Sequence, residues 1–141
     1  MVSKKILIIS LLCVVVNLRG AGRETVHEAS SFLLNLSPEI VQALTNGDAK
    51  ALSNFFNTSV ELIFSESQAV YGKAQAEQML KTFFNNNASA NGKFSYKTLH
   101  TVPRDNVQVY IGELHTGKDL YRVTIHMKDQ RIHQLRIVSN D

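Results

Sequence analysis

The sequence predicts an α+β domain in which helices pack on one antiparallel sheet. Between residues 73 and 87, apolar side chains recur every three or four positions, which is the spacing of an amphipathic helix. After residue 92, apolar and polar residues alternate, as they do along half-buried strands. Short segments rich in Gly, Asn, Asp and Pro separate these stretches and predict tight turns. The long helix is therefore expected to cover one face of the sheet.

Residues 1–22 have the order of a secretory signal peptide. Lys4 and Lys5 precede an apolar run at 6–16, and small residues follow up to Gly22. The run is shorter than the roughly 20 residues of a transmembrane helix. We expect cleavage after Gly22, no stable membrane span after cleavage, and a secreted or periplasmic location. An uncleaved N-terminal anchor is the alternative.

Charge and cysteine content exclude several classes of function. The formal net charge is +3, but residues 1–22 hold three bases and no acid, so the remainder carries 12 bases and 12 acids. Such a balance predicts no nucleic-acid binding, which needs a basic patch. The one cysteine, Cys13, leaves with the signal. The mature chain is therefore expected to have no disulfide and no thiol catalysis.

Capping and turn signals give the order of elements after a lead-in segment at 23–36. Ser37 is a good N-cap, Gly47 a good helix end, and Asp48 can cap a second short helix. A strand with alternating apolar residues at 60–64 and a short extended return precede the long helix. The sequence predicts one domain at 37–141. Its last four strands are expected at about 93–102, 107–116, 120–128 and 131–138.

This order resembles the nuclear-transport-factor-2-like (cystatin-like) superfold. The runs VELIF, VYGKAQAEQMLKTFF, GELHTGKDLYRV and HQLRI, within residues 38–138, are similar to a family of exported bacterial proteins known as a domain of unknown function. The resemblance implies N-terminal helices and one long helix packed on a bent antiparallel sheet, as in a cone. It implies export but no activity. Cone folds host enzymes, binding modules and dimerisation domains, so the fold does not choose the function.

Two-residue turns at 117–118 and 129–130 predict the register of the last three strands. They pair His115 with Leu120 and His126 with His133. Alternation then sorts the side chains onto an inner face toward the helices and an outer face. The apolar set expected inside is Tyr121, Val123, Ile125 and Met127.

Polar residues on the predicted inner face suggest a ligand pocket. Arg136 and Gln134 are expected to point inward beside Tyr110 and Tyr121, with Tyr71 near the mouth of the cone. An inward arginine needs a partner, and it can bind a carboxylate or phosphate with two hydrogen bonds. We therefore expect a small polar or anionic ligand. The alternative is that Arg136 reaches the sheet edge or a helix C-terminus.

His126 and His133 are expected side by side on the outer face. Two histidines can hold part of a zinc site, but no cysteine is available and every aspartate falls at a turn, a cap or the terminus. The sequence therefore predicts no metal and no cofactor. The histidine pair is expected to be solvated or to lie in an interface.

The predicted outer face also carries Ile111, Leu135 and Ile137, which are too apolar for a free surface. A homodimer through this face would explain them, as would a second packed layer. No Asp, Glu or His is expected inside the cone, and Glu61 is expected outside, so catalysis is the minority hypothesis. The sequence favours an exported module that binds a small ligand or an envelope protein. The alternative is a dimerisation or scaffold module of the cell envelope.

Overall fold

Three helices and six strands make up the part of the chain that the structure, a computed structural model, describes: residues 35–65 and 67–140. The predicted signal peptide and nearly all of the lead-in lie outside these residues. The α+β class is confirmed. The elements are α1 (Pro38–Asn46), α2 (Ala49–Ser53), β1 (Phe56–Phe64), β2 (Ser67–Gly72), α3 (Lys73–Asn87), β3 (Ser95–Arg104), β4 (Val107–His115), β5 (Leu120–Lys128) and β6 (Arg131–Ser139).

The first two helices begin and end at the predicted capping residues. The Ser37 hydroxyl accepts a hydrogen bond from the Ile40 N–H at 3.5 Å, and the Asp48 carboxylate accepts one from the Ala51 N–H at 2.9 Å. Gly47 ends α1 with φ 61°, a left-handed conformation that glycine adopts without a steric penalty. Local sequence therefore determines both boundaries. Across residues 35–65 and 67–140, no helix has the length and apolar character needed to cross a membrane.

The strands form one sheet in the order β2-β1-β6-β5-β4-β3. Neighbours are antiparallel except β1 and β6, which are parallel, so the first strand pairs with the last. Pro103 was expected in a turn but lies within β3, opposite Gln108. The sheet accommodates it because β3 is an edge strand, where a residue without an N–H can face the unpaired side.

One face of the sheet, the inner face, packs against the helices. Phe83 of α3 stacks on Phe64 of β1 with ring centroids 5.4 Å apart and meets Tyr121 of β5 edge-on at 5.2 Å. The apolar spacing between residues 73 and 87 also predicts Met79 on the packed side of α3, but Met79 is 36% exposed. The apolar set expected inside β5 does face the helices. The buried residues of this face include Val60, Leu62, Tyr110, Leu114, Val123, Ile125, Ile132, Leu135 and Ile137.

A bulge in β6 decides which of its residues face the helices. Met127 pairs with Ile132, as the two-residue turn predicts, but His126 pairs with Gln134 instead of His133. His133 is thus an extra residue in β6. Because strand side chains alternate with a period of two, every residue beyond it changes face.

The bulge overturns the predicted orientation of the second half of β6. Gln134 and Arg136, expected inside the cone, lie on the outer face, where Arg136 is exposed. Leu135 and Ile137, expected outside, are 0% and 1% exposed in the inner core. Only Ile111 remains on the outer face from the predicted apolar set.

Gly112 of β4 lies against an aromatic side chain of β3. A Cβ atom at this position would lie 2.5 Å from the Tyr96 hydroxyl oxygen and 2.7 Å from the Lys97 carbonyl oxygen. Tyr96 is buried, so its ring already fills the space that a side chain would need. Residue 112 must therefore be glycine for β3 and β4 to keep this packing.

Candidate functional site on the outer face of the sheet

The outer face of the sheet, turned away from the helices, carries two neighbouring rows of residues that cross all six strands in register. Both rows mix apolar and polar side chains. From β2 to β3, the first row is Val70, Glu61, Gln134, His126, Val109 and Val102. In the same direction, the second row is Gln68, Ile63, Arg136, Thr124, Ile111 and His100.

The ends of the first row are exposed and apolar. Val70 is 68% exposed and Val102 is 37% exposed, which places both among the large apolar side chains most open to solvent in the described chain. In the second row, Ile63 and Ile111 are half-buried. Of the residues in the two rows, only Val109 is buried, with 7% of its surface exposed. The face is therefore accessible and partly apolar over its whole width.

Two side-chain amides hold the carboxylate of Glu61, which lies next to Val70 in the first row. Gln68 Nε2 donates to Oε1 at 2.5 Å, and Gln134 Nε2 donates to Oε2. Both bonds stabilise the ionised form and hold the pKa of Glu61 below its ordinary value. The bond from Gln68 is the larger cause and the bond from Gln134 is the second. Glu61 thus places an oriented negative charge on the outer face.

His126 lies two strands away from Glu61 in the same row, and its uncharged form is favoured. Burial of the ring lowers the pKa of His126 below its ordinary value, and the positive charge of Arg104 lowers it further. The charge of Glu61 acts in the opposite direction but is the smallest of the three causes. The imidazole is therefore uncharged at neutral pH and gains charge only in more acidic solution.

The predicted pairing of His126 with His133 is wrong. His126 lies beside Gln134, whereas His133 Nδ1 is 3.5 Å from Nδ2 of Asn57 in β1. The two rings separate because the bulge removes His133 from the regular register. In residues 35–65 and 67–140, no group of three or more His, Cys, Asp or Glu is arranged to hold a metal ion.

The tyrosines of the predicted ligand site lie on the other face from its arginine. The Tyr110 hydroxyl donates to Gln108 at 2.5 Å, and the Tyr121 hydroxyl donates to Asn87 at 2.7 Å. Burial raises the pKa of Tyr110, so its hydroxyl stays protonated. Tyr71 packs against the core. The sheet thus separates these three residues from Arg136 and Gln134.

Sequence reasoning located Glu61 on the outer face but not its partners. Alternation along β1 is a local signal, and it gave the correct side for Glu61. Its contact with Gln134 depends on the parallel pairing of β1 with β6 across 73 positions, for which no local signal exists. The sequence analysis did not identify Val70. Because Tyr71 faces inward, alternation along a strand at residues 67–72 would have placed Val70 on the outer face.

A six-stranded sheet with helices on one face is the architecture of the nuclear-transport-factor-2-like class, as the resemblance implied. An NTF2-like protein of unknown function from Cytophaga hutchinsonii is similar, with a TM-score of 0.52 and 13% identity over 72% of this chain and 84% of that chain. A likeness at this identity shows the fold alone.

Within that class, the chain belongs to the family described as a domain of unknown function, DUF4783, whose match covers residues 37–138. The family member from Bacteroides uniformis has a TM-score of 0.66 and 26% identity over 76% of this chain and 99% of that chain. The member from Bacteroides ovatus has a TM-score of 0.67 and 24% identity, covering 77% and 98%. Among curated proteins, none matches the chain. The predicted family is confirmed, and it names no activity.

Proposed function

We propose that the protein is an exported binding module without catalytic activity, and that it pairs with a second copy of itself through the outer face of its sheet. Such a dimer would serve as an assembly or scaffold module of the cell envelope. The observation that supports this most is the row across six strands that ends in exposed Val70 and Val102.

The composition of the outer face suits a protein interface. A non-obligate interface mixes apolar and polar side chains and is, as a whole, about as apolar as the rest of a protein surface. Val109 and Ile111 lie on the same face of β4, Ile63 lies on β1, and Arg122 and Lys97 are exposed beyond the two rows on β5 and β3. A second copy would remove the exposed valines from water, and burial of apolar surface is the main driving force of association.

The charges of the outer face allow it to bind a copy of itself. A twofold interface needs a patch that is complementary to itself. Glu61 offers a fixed negative charge in the first row, and Arg136 offers a positive charge in the second. No carboxylate of the described residues lies within 4.0 Å of the Arg136 guanidinium. A partner rotated by 180° could supply one.

The inner face offers little for acid–base catalysis. A general acid or base must lie within hydrogen-bond reach of its substrate. The inward positions of the described strands carry tyrosines such as Tyr110 and Tyr121, and their hydroxyls are already hydrogen-bonded to Gln108 and Asn87. This arrangement favours binding over chemistry. Arg136 and Gln134 do not form a small-ligand pocket with the tyrosines, because the sheet separates them.

Export is inferred from residues 1–22 alone. Protein recovered from the exported compartment of a producing cell is expected to begin at Arg23. Intact-mass measurement of that protein checks this, and a chain that still begins at Met1 would contradict it.

Substitution of one exposed apolar residue on the outer face tests the dimer. Val102→Glu places a charge in the proposed interface, whereas Met79→Glu places one on α3. The two residues are a matched pair because Val102 is 37% exposed and Met79 is 36% exposed. In sedimentation velocity, we expect the unmodified protein and Met79→Glu to dimerise with similar dissociation constants. The dissociation constant of Val102→Glu should be higher by about tenfold or more. A monomeric unmodified protein, or equal affinities for the two variants, would refute the proposed interface.

A further inference from the structure

A depression of about 360 Å³ opens where β1, α3 and β6 begin. Phe56, Asn57, Thr58, Lys73 and Arg131 line it. Small-molecule sites commonly measure about 300–1,000 Å³, so the depression has room for a small ligand. Its lining residues take no part in the two rows of the outer face.

An irregularity in the β1–β6 pairing lies beside this depression. Phe56 pairs with Ile132 and Glu61 pairs with Gln134, so four residues of β1 stand opposite the single residue His133. Pairing of β1 with β2 begins only at Ser59. Asn57 and Thr58 therefore have no register partner on either side. Bulges of this kind redirect side chains and are common beside binding sites.

Two cationic side chains line the depression together with polar groups. Arg131 is anchored, because its Nη1 donates to the Asn54 carbonyl oxygen at 2.6 Å. A guanidinium has five N–H donors, so most of them remain for a ligand. Thr58 adds a hydroxyl and Asn57 adds an amide. Lys73 adds a second positive charge from the first residue of α3.

The acids near this site do not neutralise its cations. None of the described carboxylates lies within 4.0 Å of Lys73 or Arg131. Glu77, one turn further along α3, is not a lining residue, and its Oε2 accepts a hydrogen bond from the Ser53 hydroxyl at 3.1 Å. The first turn of α3 contains no acid, so the positive end of its dipole adds to the charge of Lys73.

We propose that this depression binds the doubly charged tetrahedral oxyanion of a phosphate monoester, carried on a molecule of about the size of a sugar. Two cations match the two charges of the anion, and a guanidinium fits its oxygens with paired hydrogen bonds. Phe56, a lining residue with 2% of its surface exposed, supplies an apolar contact for the carrier. The volume exceeds what a free anion needs, which favours an ester over the ion alone.

Titration of the ¹⁵N-labelled protein by NMR tests the site. The probes are inorganic phosphate, inorganic sulfate, glucose 6-phosphate and uncharged glucose, each at constant ionic strength. We expect saturable shifts of the Asn57 and Thr58 amides with glucose 6-phosphate and weaker saturable shifts with the inorganic ions. Lys73→Gln and Arg131→Gln should each weaken binding at least tenfold. Arg131→Lys, which keeps the charge, should weaken it less.

Lys81→Gln is the matched control, since Lys81 is an exposed lysine of α3 outside the depression. It should bind as the unmodified protein does, and the amide spectrum of every variant shows whether it is folded. Shifts that never saturate, or saturable binding that survives Lys73→Gln and Arg131→Gln unchanged, would overturn the proposal. Equal binding of phosphate and glucose 6-phosphate would overturn the sugar-sized carrier. The result of this NMR titration does not depend on dimerisation, which sedimentation velocity measures separately.

Discussion

Gln134 donates a hydrogen bond to the Glu61 carboxylate across the parallel β1–β6 pair, over a separation of 73 residues. Gln134 directly follows the bulged residue His133, so this bond connects the part of β6 beyond the bulge to β1 on the outer face. It also sets the orientation of the next residues, because Leu135 must then face the helices and Arg136 must face solvent.

Alanine substitutions at two adjacent positions test this orientation. Leu135→Ala removes a fully buried side chain and is expected to lower the free energy of unfolding by about 2–5 kcal/mol. Arg136→Ala removes an exposed side chain and should change it by no more than about 0.5 kcal/mol. Urea denaturation of both variants measures the difference. The reverse ranking would mean that β6 has the regular register.

The pKa of Glu61 should respond to loss of either amide. Gln134→Leu and Gln68→Leu each remove a hydrogen bond that stabilises the carboxylate, so the pKa should rise toward its ordinary value. The rise should be greater for Gln68→Leu, because its bond is the larger cause of the lowered pKa. Carboxyl ¹³C shifts followed through an acid titration give the pKa directly. An unchanged pKa in both variants would show that the amides do not hold the carboxylate in solution.

The protein should lose stability in mildly acidic solution because of His126. Its pKa is lower in the folded state than in the unfolded chain, so the unfolded chain takes up the proton first as the pH falls below about 6.5. The contribution of His126 is therefore complete above that pH and is lost as the pH falls through the folded pKa. Arg104 and Glu61 are the charged groups that act on the ring.

Urea unfolding at about pH 7.5 and pH 5.5 checks this pH dependence. His126→Gln should reduce the difference in unfolding free energy between the two pH values. His100→Gln, which removes an exposed histidine of the neighbouring row, should preserve it. The same pH dependence in both variants as in the unmodified protein would contradict this role of His126.

Gly112→Ala should destabilise the protein, because its Cβ atom would collide with Tyr96 and with the Lys97 carbonyl oxygen. Overpacking of this kind costs about 1–3 kcal/mol. In the Tyr96→Ala background, the added cost of Gly112→Ala should be smaller but not zero, since the backbone carbonyl remains. A double-mutant cycle by thermal unfolding measures this coupling. Full additivity of the two substitutions would show that the ring does not occupy this space.

Local sequence signals predicted the helices and the turns well, because capping and turn chemistry act within a few residues. Asp129 and Gln130 illustrate this: both adopt positive φ angles, 50° and 60°, and form the predicted two-residue turn. The predicted register of β4 with β5 is confirmed, because His115 lies opposite Leu120.

The candidate site was predicted less well, because one extra residue in a strand reverses every side chain beyond it. The polar pair His133 and Gln134 interrupts the alternation between Ile132 and Leu135 and could have indicated the bulge, although no glycine or proline accompanies it. The bulge lies where β6 joins β1 in parallel, a pairing that is remote in sequence. Arg136 was consequently placed in the cone, and the row of Glu61, Gln134 and His126 was not anticipated.

Contacts between copies of the chain test the proposed dimer most directly. Isotope-filtered NMR on a mixture of ¹³C-labelled and unlabelled protein detects methyl groups of one copy that lie near protons of another. We predict such contacts for the methyl groups of Val70, Val102, Ile63 and Ile111, and none for Met79. Contacts that involve Met79 instead, or no contacts between copies at concentrations well above those used for sedimentation, would contradict a dimer through the outer face.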